Sequence, residues 1–160
     1  MKATLKNGSS ITIRSMSEDD GDALGRMHEA CSERTYQTFH PYPLTYESGM
    51  EVAANEDILC FIAFGSESEA VGYSWIRHKR DVPSLGVCVR DGLHGLGVGR
   101  LLTERAIACA RDLKREGVRL TVVKENVIGV TLYKSLGFVV DGGFTDDWGP
   151  SHRMTLRLDD

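Results

Sequence analysis

Seven segments of the chain either alternate apolar and polar residues or run continuously apolar, and both patterns are typical of β-strands. They are residues 10–15, 58–64, 70–80, 84–89, 118–123, 137–142 and 152–158. The polar stretch GSESEA, between the second and the third of them, has the composition of a turn. We therefore expect those two strands to form a hairpin.

Four other segments carry apolar residues at the three- and four-residue spacing of a helix. The first begins at Ser17, whose hydroxyl suits an N-cap, and acidic residues in its first turn favour the positive end of the helix dipole. Its apolar face consists of Leu24, Met27, Ala30 and Cys31. Residues 48–54 predict a short helix, residues 98–116 a long one that Gly117 ends, and residues 126–136 the last.

The predicted elements follow the order β-α-α-β-β-β-α-β-α-β-β, without a linker, a repeat or a low-complexity segment between them. The chain has 160 residues, a length that suits one domain with its own core. We therefore expect residues 1–160 to form a single domain of mixed α/β class, in which one twisted mixed sheet is flanked by helices.

Composition and charge narrow the possible partners. The formal net charge is −4, which argues against general nucleic-acid binding because that function needs a basic face. The four cysteines form no CxxC pair and no His/Cys cluster, so we expect reduced thiols and no metal site. Neither a signal peptide nor an apolar run of membrane-spanning length occurs, so we expect a cytoplasmic protein that does not enter the membrane.

The stretch HGLGVG, residues 94–99, joins a predicted strand to the longest predicted helix and raises the question of phosphate binding. It fails the dinucleotide fingerprint, because the sixth position from Gly95 is Arg100, and the chain contains no Gly-Lys-Ser/Thr triplet of a P-loop. The first N–H groups of a helix attract anions, and glycines let a ligand approach the backbone closely. From these residues alone, an anion-binding turn and a plain strand-to-helix turn both remain open.

A second motif lies in NVIGVTLYKSLGF, residues 126–138. The two segments together match the patterns V-x-x-x-x-[RQ]-x-x-G-x-[GA] and N-x-x-A-x-x-x-Y-x-x-x-GF, and on them the chain resembles the GCN5-related N-acetyltransferase (GNAT) superfamily. The matching positions are Val89, Gly97, Gly99, Asn126, Leu132, Tyr133, Gly137 and Phe138. Two positions depart from the patterns: His94 stands for the Arg or Gln, and Gly129 for the Ala. The element order agrees with the resemblance over nearly the whole chain.

The resemblance implies a GNAT-like fold in which two central parallel strands, residues 84–89 and 118–123, splay apart and hold acetyl-coenzyme A between them. The implied cofactor-binding residues are Val87, Cys88 and Val89 beside the pantetheine arm, His94, Gly95, Leu96, Gly97, Val98, Gly99 and Arg100 around the pyrophosphate, and Asn126 and Tyr133 on the next helix. His94 can donate a hydrogen bond, but its charge depends on pH, which can weaken or tune pyrophosphate binding.

The same resemblance implies an N-acetyltransferase in which a primary amine attacks the thioester directly. Tyr133 is then the catalytic residue that protonates the departing thiolate, unless it only packs its helix on the sheet. The general base is not identified, because residues 84–89 contain no Glu. The candidates for it are His78, Asp81 and His40. We expect Cys88 to be a small buried residue and not a nucleophile.

The sequence does not separate a small-molecule amine from a protein amine as the acceptor. The aromatic loop FHPYPLTYES either lines an acceptor pocket or closes the core. The acidic segment DGGFTDDWG either attracts a cationic amine or is a solvated loop. The alternative function is a non-catalytic module that binds acyl-coenzyme A as a sensor. A monomer and a homodimer are both open, the latter through an edge strand in the C-terminal region.

Overall fold

The computed structural model describes residues 1–158, which form two antiparallel sheets. The five-stranded sheet is built in chain order from β1 (Lys2–Thr4), β2 (Ser10–Ser15), β3 (Leu59–Phe64), β4 (Ala70–Ile76) and β5 (Leu85–Val89). The three-stranded sheet contains β6 (Gly117–Val123), β7 (Val139–Asp146) and β8 (Gly149–Arg157), with β8 in the middle.

Helices cover both faces of the five-stranded sheet and one face of the three-stranded sheet. They are α1 (Gly21–Ala30), α2 (Glu33–Thr38), α3 (Tyr46–Ala54), α4 (Val98–Asp112) and α5 (Val127–Ser135), and a single 3₁₀ turn (Glu18–Asp20) precedes α1. None of the helices within residues 1–158 is both long and apolar enough to cross a lipid bilayer.

The five-stranded sheet has α4 on one face and α1 with α3 on the other. Close approach of α4 depends on Gly72 of β4, because a Cβ there would lie 3.0 Å from Leu102 Cδ1. The Ser74 hydroxyl also donates to the Leu102 carbonyl at 3.0 Å. On the opposite face, Leu24 of α1 is buried in the same apolar cluster as Tyr73 of β4. The sheet therefore separates α4, on one face of β4 and β5, from α1 and α3 on the other.

The strands β5 and β6 are neighbours that meet at one end. Ser84, just before β5, forms a parallel bridge with Arg119 of β6, and the Arg119 N–H donates to the Pro83 carbonyl at 2.8 Å. Beyond this bridge, β5 and β6 form no further backbone pair within residues 1–158. The expected fold class with splayed central strands is confirmed, although the single expected sheet consists of two sheets joined by this bridge.

The sequence analysis was wrong about some short elements. It missed β1 and α2, which have three and six residues and are too short to show a hydrophobic period. It also ended a predicted strand at Gly142, whereas β7 continues to Asp146 and forms a hairpin with β8 up to the pair Asp146 and Gly149.

The expected end of the long helix was also wrong. The helix ends at Asp112, and Gly117 is the first residue of β6. Lys114 adopts a left-handed φ of 55°, and the Arg115 N–H donates to the Ala110 carbonyl at 3.0 Å. This is a Schellman ending that uses a lysine where glycine is usual, so the sequence carried no signal for it.

Candidate active site

The divergence of β5 and β6 leaves one edge of β5 without a partner strand. The Arg90 N–H donates to a β4 carbonyl at 2.9 Å, and antiparallel ladders pair the backbone groups of alternate residues. The backbone groups of Cys88 therefore face Tyr73 on β4. Those of Val87 and Val89 face the gap between the sheets.

The facing edge of β6 is free in the same way. The Lys124 N–H donates to the Pro150 carbonyl at 3.0 Å, which fixes the alternation of the ladder between β6 and β8. Thr121 and Val123 therefore direct their N–H and C=O groups into the gap. An extended ligand that carries amide groups can pair with both edges, as buried backbone groups require.

The turn between β5 and α4 stands at the open end of this gap. Gly92, Gly95 and Gly97 have φ values of 81°, 78° and 105°, in the left-handed region that favours glycine. A Cβ at any of these positions would meet nothing within 4 Å, so the backbone conformation, and not packing, requires glycine. Gly97 is the N-cap of α4, and the N–H groups of the first turn that follows lack helical acceptors. The turn therefore offers an anion unobstructed access to those N–H groups.

The side chains around the turn differ in whether they form hydrogen bonds within the protein. His94 is exposed, whereas Asp91 accepts hydrogen bonds from the Ser32 N–H, at 3.0 Å, and from the Thr35 hydroxyl. Asp91 thereby ties the turn to the N-terminus of α2. Arg100 donates to Ser135 Oγ at 2.5 Å, so its guanidinium reaches across to α5.

Asn126 begins α5 beside the gap. Its Oδ1 accepts the Gly129 N–H at 3.0 Å, which caps the helix. A Cβ at Gly129 would lie 2.7 Å from Asn126 Nδ2, so the small residue keeps the amide in place. Within residues 1–158, the Nδ2 group is the part of this side chain that remains able to donate to a ligand.

Tyr133 and Cys88 lie near each other at the gap. Tyr133 is half-buried with its ring edge-on to Phe138 at 5.8 Å, and burial raises its pKa to about 12. The thiol of Cys88 is buried, and a hydrogen bond with Cys31 together with burial raises its pKa well above the ordinary value. Tyr133 therefore keeps its proton at neutral pH, and Cys88 is a poor nucleophile.

The three candidate bases are not brought together. His78 and Asp81 lie between β4 and β5, before the Ser84 bridge, and so at the closed end of the gap. His40 follows α2, and its ring stacks on Trp148 at a centroid distance of 4.2 Å. The edge of the Tyr36 ring packs on the same indole at 5.0 Å, so these aromatics link α2 to the tip of the β7–β8 hairpin.

Within residues 1–158, no group of three or more His, Cys, Asp and Glu side chains could hold a metal ion.

A buried polar line on the α1 face was missed by the sequence analysis. His28 Nε2 lies 2.8 Å from the Tyr73 hydroxyl, which lies 2.5 Å from the Tyr42 hydroxyl. His28 Nδ1 lies 2.8 Å from Ser48 Oγ and 3.2 Å from the Thr45 carbonyl. The available signal was a polar residue one turn after Leu24, in the apolar stripe of α1.

Comparison finds similarity both to a known family and to curated proteins. The family model described as an acetyltransferase (GNAT) domain matches residues 56–140. Mycothiol acetyltransferase from Paenarthrobacter aurescens (strain TC1) is 35% identical, in an alignment that covers 49% of this chain and 26% of that protein. The chain therefore spans about a quarter of the length of this curated relative.

Solved structures share the fold at low identity. The GNAT domain of PAT from S. lividans has a TM-score of 0.85 at 19% identity and covers 99% of this chain and 96% of its own. The protein yncA from Salmonella typhimurium, solved with its cofactor acetyl-CoA, has a TM-score of 0.75 at 20% identity and coverages of 94% and 95%. Spermidine N-acetyltransferase from Vibrio cholerae, in complex with CoA and spermine, has a TM-score of 0.74 at 17% identity and coverages of 92% and 95%.

Proposed function

Since this chain belongs to the GNAT acetyltransferase family, we propose that it binds acetyl-coenzyme A between β5 and β6 and transfers the acetyl group to a primary amine. The observation that carries the proposal is the open glycine turn at the N-terminus of α4, at the splayed end of the gap. The pyrophosphate of the cofactor suits such a turn, and the pantetheine amides suit the free edges of β5 and β6.

In this proposal the chain contacts the cofactor in three places. Backbone groups of Val87 and Val89 pair with the pantetheine arm, and the side chain of Cys88 lies on the wall of the gap. The pyrophosphate is held by the glycine turn and by the first residues of α4; these residues are His94, Gly95, Leu96, Gly97, Val98, Gly99 and Arg100. Asn126 donates from Nδ2 to the cofactor arm while its Oδ1 caps α5.

The proposed reaction forms a C–N bond and breaks the thioester C–S bond. A thiol has an ordinary pKa of about 8.5, so Tyr133, with a pKa of about 12, does not give up its proton to the thiolate. Its contribution is a hydrogen bond that stabilises the sulfur as the C–S bond breaks. The amine loses one proton to water, and the thiolate later takes one from water. Since neither His78 nor Asp81 lies at the open end of the gap, water takes part in both proton transfers.

The acceptor class is proposed as a small-molecule amine or a protein amine.

The proposed setting is the cytoplasm. The free thiols of Cys31, Cys60, Cys88 and Cys109 agree with its reducing conditions. The strand β7 lies at the edge of its sheet with Val139 and Phe144 exposed, and this edge can pair with a second copy of the chain. The oligomeric state is therefore proposed as a monomer or a homodimer paired along β7.

Calorimetric titration with acetyl-coenzyme A tests the proposal. We expect the wild-type protein to bind, and Gly97→Glu to weaken binding at least about 100-fold, because a carboxylate would face the pyrophosphate. Gly149→Glu is the matched control, since Gly149 also has a positive φ and open space but lies in the β7–β8 turn. Equal affinities of Gly97→Glu and the wild-type protein for acetyl-coenzyme A would show that the turn does not contact the cofactor.

An amine panel read out as released thiol then separates catalysis from binding. Turnover of any primary amine supports the transferase. Cofactor binding with thioester cleavage by water alone would instead favour the sensor module. Failure of the wild-type protein to bind acetyl-coenzyme A would overturn the proposal as a whole.

A further inference from the structure

The direction of the hydrogen bonds in the buried line from His28 to Tyr42 follows from the chemistry of the groups at its His28 end. The carbonyl of Thr45 can only accept, so the proton of the His28 ring sits on Nδ1. Burial lowers the pKa of His28, so the ring is neutral and its Nε2 is an acceptor. Ser48 agrees with this assignment, because its hydroxyl donates to the same carbonyl and leaves its oxygen to accept from Nδ1.

The donors in the hydrogen bonds of the two tyrosines follow from the same reasoning. Tyr73 has one hydroxyl proton, and it is donated to His28 Nε2 at 2.8 Å. The contact of 2.5 Å with Tyr42 therefore requires Tyr42 to be the donor. The proton of Tyr42 is held inward. One lone pair of its oxygen lies toward the buried indole N–H of Trp75, which has no other partner within residues 1–158, and the second is left for a further donor.

The position of Tyr42 relates this lone pair to the gap. Tyr73 stands opposite Cys88 in the ladder between β4 and β5, and Tyr42 packs on the cluster that contains both. Burial, and after it the charge of the Cys88 thiolate, raises the pKa of both Tyr42 and Tyr133. Because α4 and its glycine turn occupy the other face of β5, a second substrate reaches the gap from the face that carries Tyr42.

We propose that Tyr42 is a catalytic residue whose oxygen accepts an N–H of the acceptor amine, with Tyr73 and His28 as positioning residues. The inference rests on the transferase function proposed above. Accepting this bond turns the nitrogen lone pair toward the thioester carbon, so that the C–N bond forms as the C–S bond breaks. Tyr42 neither gains nor loses a proton, and burial raises its pKa, which keeps it a neutral phenol. The substrate class is a primary amine that reaches the gap in its neutral form.

Steady-state kinetics on Tyr42→Phe test the inference with any amine that the wild-type protein acetylates. We expect kcat/KM for the amine to fall at least about tenfold, with the Kd for acetyl-coenzyme A unchanged. Tyr73→Phe should lower kcat/KM for the amine as well, because the Tyr42 proton loses its acceptor and is free to turn toward the amine. Tyr36→Phe is the matched control, since it removes a phenol of α2 that takes no part in the line, and it should have no effect.

Two results would overturn the inference while the transferase function stands. One is wild-type kinetics in Tyr42→Phe. The other needs no variant: ¹⁵N spectra of the wild-type protein should show His28 as the neutral Nδ1–H tautomer, and a proton on Nε2 would reverse the line. Absence of amine turnover in wild-type protein that binds acetyl-coenzyme A would overturn the inference and the proposed function together.

Discussion

Ser84 and Arg119 form a parallel bridge that joins two otherwise separate antiparallel sheets. The bridge sets the closed end of the gap, and the glycine turn lies at the other end of β5. The length of β5 therefore separates the point where the sheets are held together from the point where an anion can bind. This arrangement keeps the edges of β5 and β6 free without separating the two sheets.

The first prediction concerns this bridge. Arg119→Pro removes the N–H that donates to Pro83 at 2.8 Å, whereas Arg119→Ala keeps it and shortens an exposed side chain. We expect the proline variant to lower the free energy of unfolding by about 1–3 kcal/mol and the alanine variant to change it by less than about 0.5 kcal/mol. Urea denaturation of both variants measures the difference. Equal stabilities would mean that the bridge contributes nothing to holding the sheets together.

The second prediction concerns the pH dependence of stability. Asp20 is 7% exposed, and hydrogen bonds from Arg14 at 2.7 and 2.8 Å, aided by the Ser17 N–H, lower its pKa. Since the folded-state pKa lies below the unfolded value of about 3.9, this stabilisation is present above that pH and is lost as the pH falls through the folded-state pKa. Asp20→Asn should therefore cost about 1–3 kcal/mol at pH 7 and progressively less below about pH 4.

Thermal or urea unfolding of the Asp20→Asn variant between pH 2 and pH 7 checks this dependence. Asp19→Asn is the control, because Asp19 lies in the same 3₁₀ turn but is exposed. A penalty for Asp20→Asn that stays constant over the whole pH range would contradict the prediction.

Local sequence patterns were sufficient for the elements that frame the gap. The strand around Val87 is almost continuously apolar, the strand around Leu120 alternates apolar and polar residues, and the helix from Val98 has apolar residues at regular helical spacing. Each pattern is recognisable within a few residues. The glycine turn was also identified from sequence, because positions that need a positive φ select glycine. The structure confirms these elements and leaves the ligands of the turn as proposals.

The polar line of the α1 face could not be predicted, because its direction depends on contacts between distant parts of the chain. His28, Tyr42 and Tyr73 come from a helix, a loop and a strand, and each alone is an ordinary amphipathic residue. The contact between Tyr36 and Trp148 likewise joins segments that the sequence separates by most of the domain. Such contacts follow from the packing of elements and not from any local period.

The third prediction concerns the departure from the family pattern at Gly129. Alanine there favours the helix by about 1 kcal/mol, but its Cβ would lie 2.7 Å from Asn126 Nδ2 and displace the capping side chain, which costs about as much. We expect Gly129→Ala to leave stability nearly unchanged and to weaken acetyl-coenzyme A binding about tenfold. Asn126→Asp is the companion variant, because it keeps the capping oxygen and removes the Nδ2 donor. Unaltered calorimetric Kd values in both variants would show that Asn126 only caps α5.

The fourth prediction concerns Tyr133, whose phenol has a pKa of about 12 because of burial. Tyr133→Phe keeps the ring against Phe138 and removes the hydrogen bond to the departing sulfur, so we expect kcat to fall about 100-fold with the Kd for acetyl-coenzyme A unchanged. Tyr46→Phe, which removes an exposed phenol bound to Asp22, should leave kcat unchanged. In the wild-type protein, loss of the Tyr133 proton should not reduce kcat below about pH 11. If kcat survives in Tyr133→Phe, the residue serves to pack α5, and the departing thiolate must be stabilised by another group.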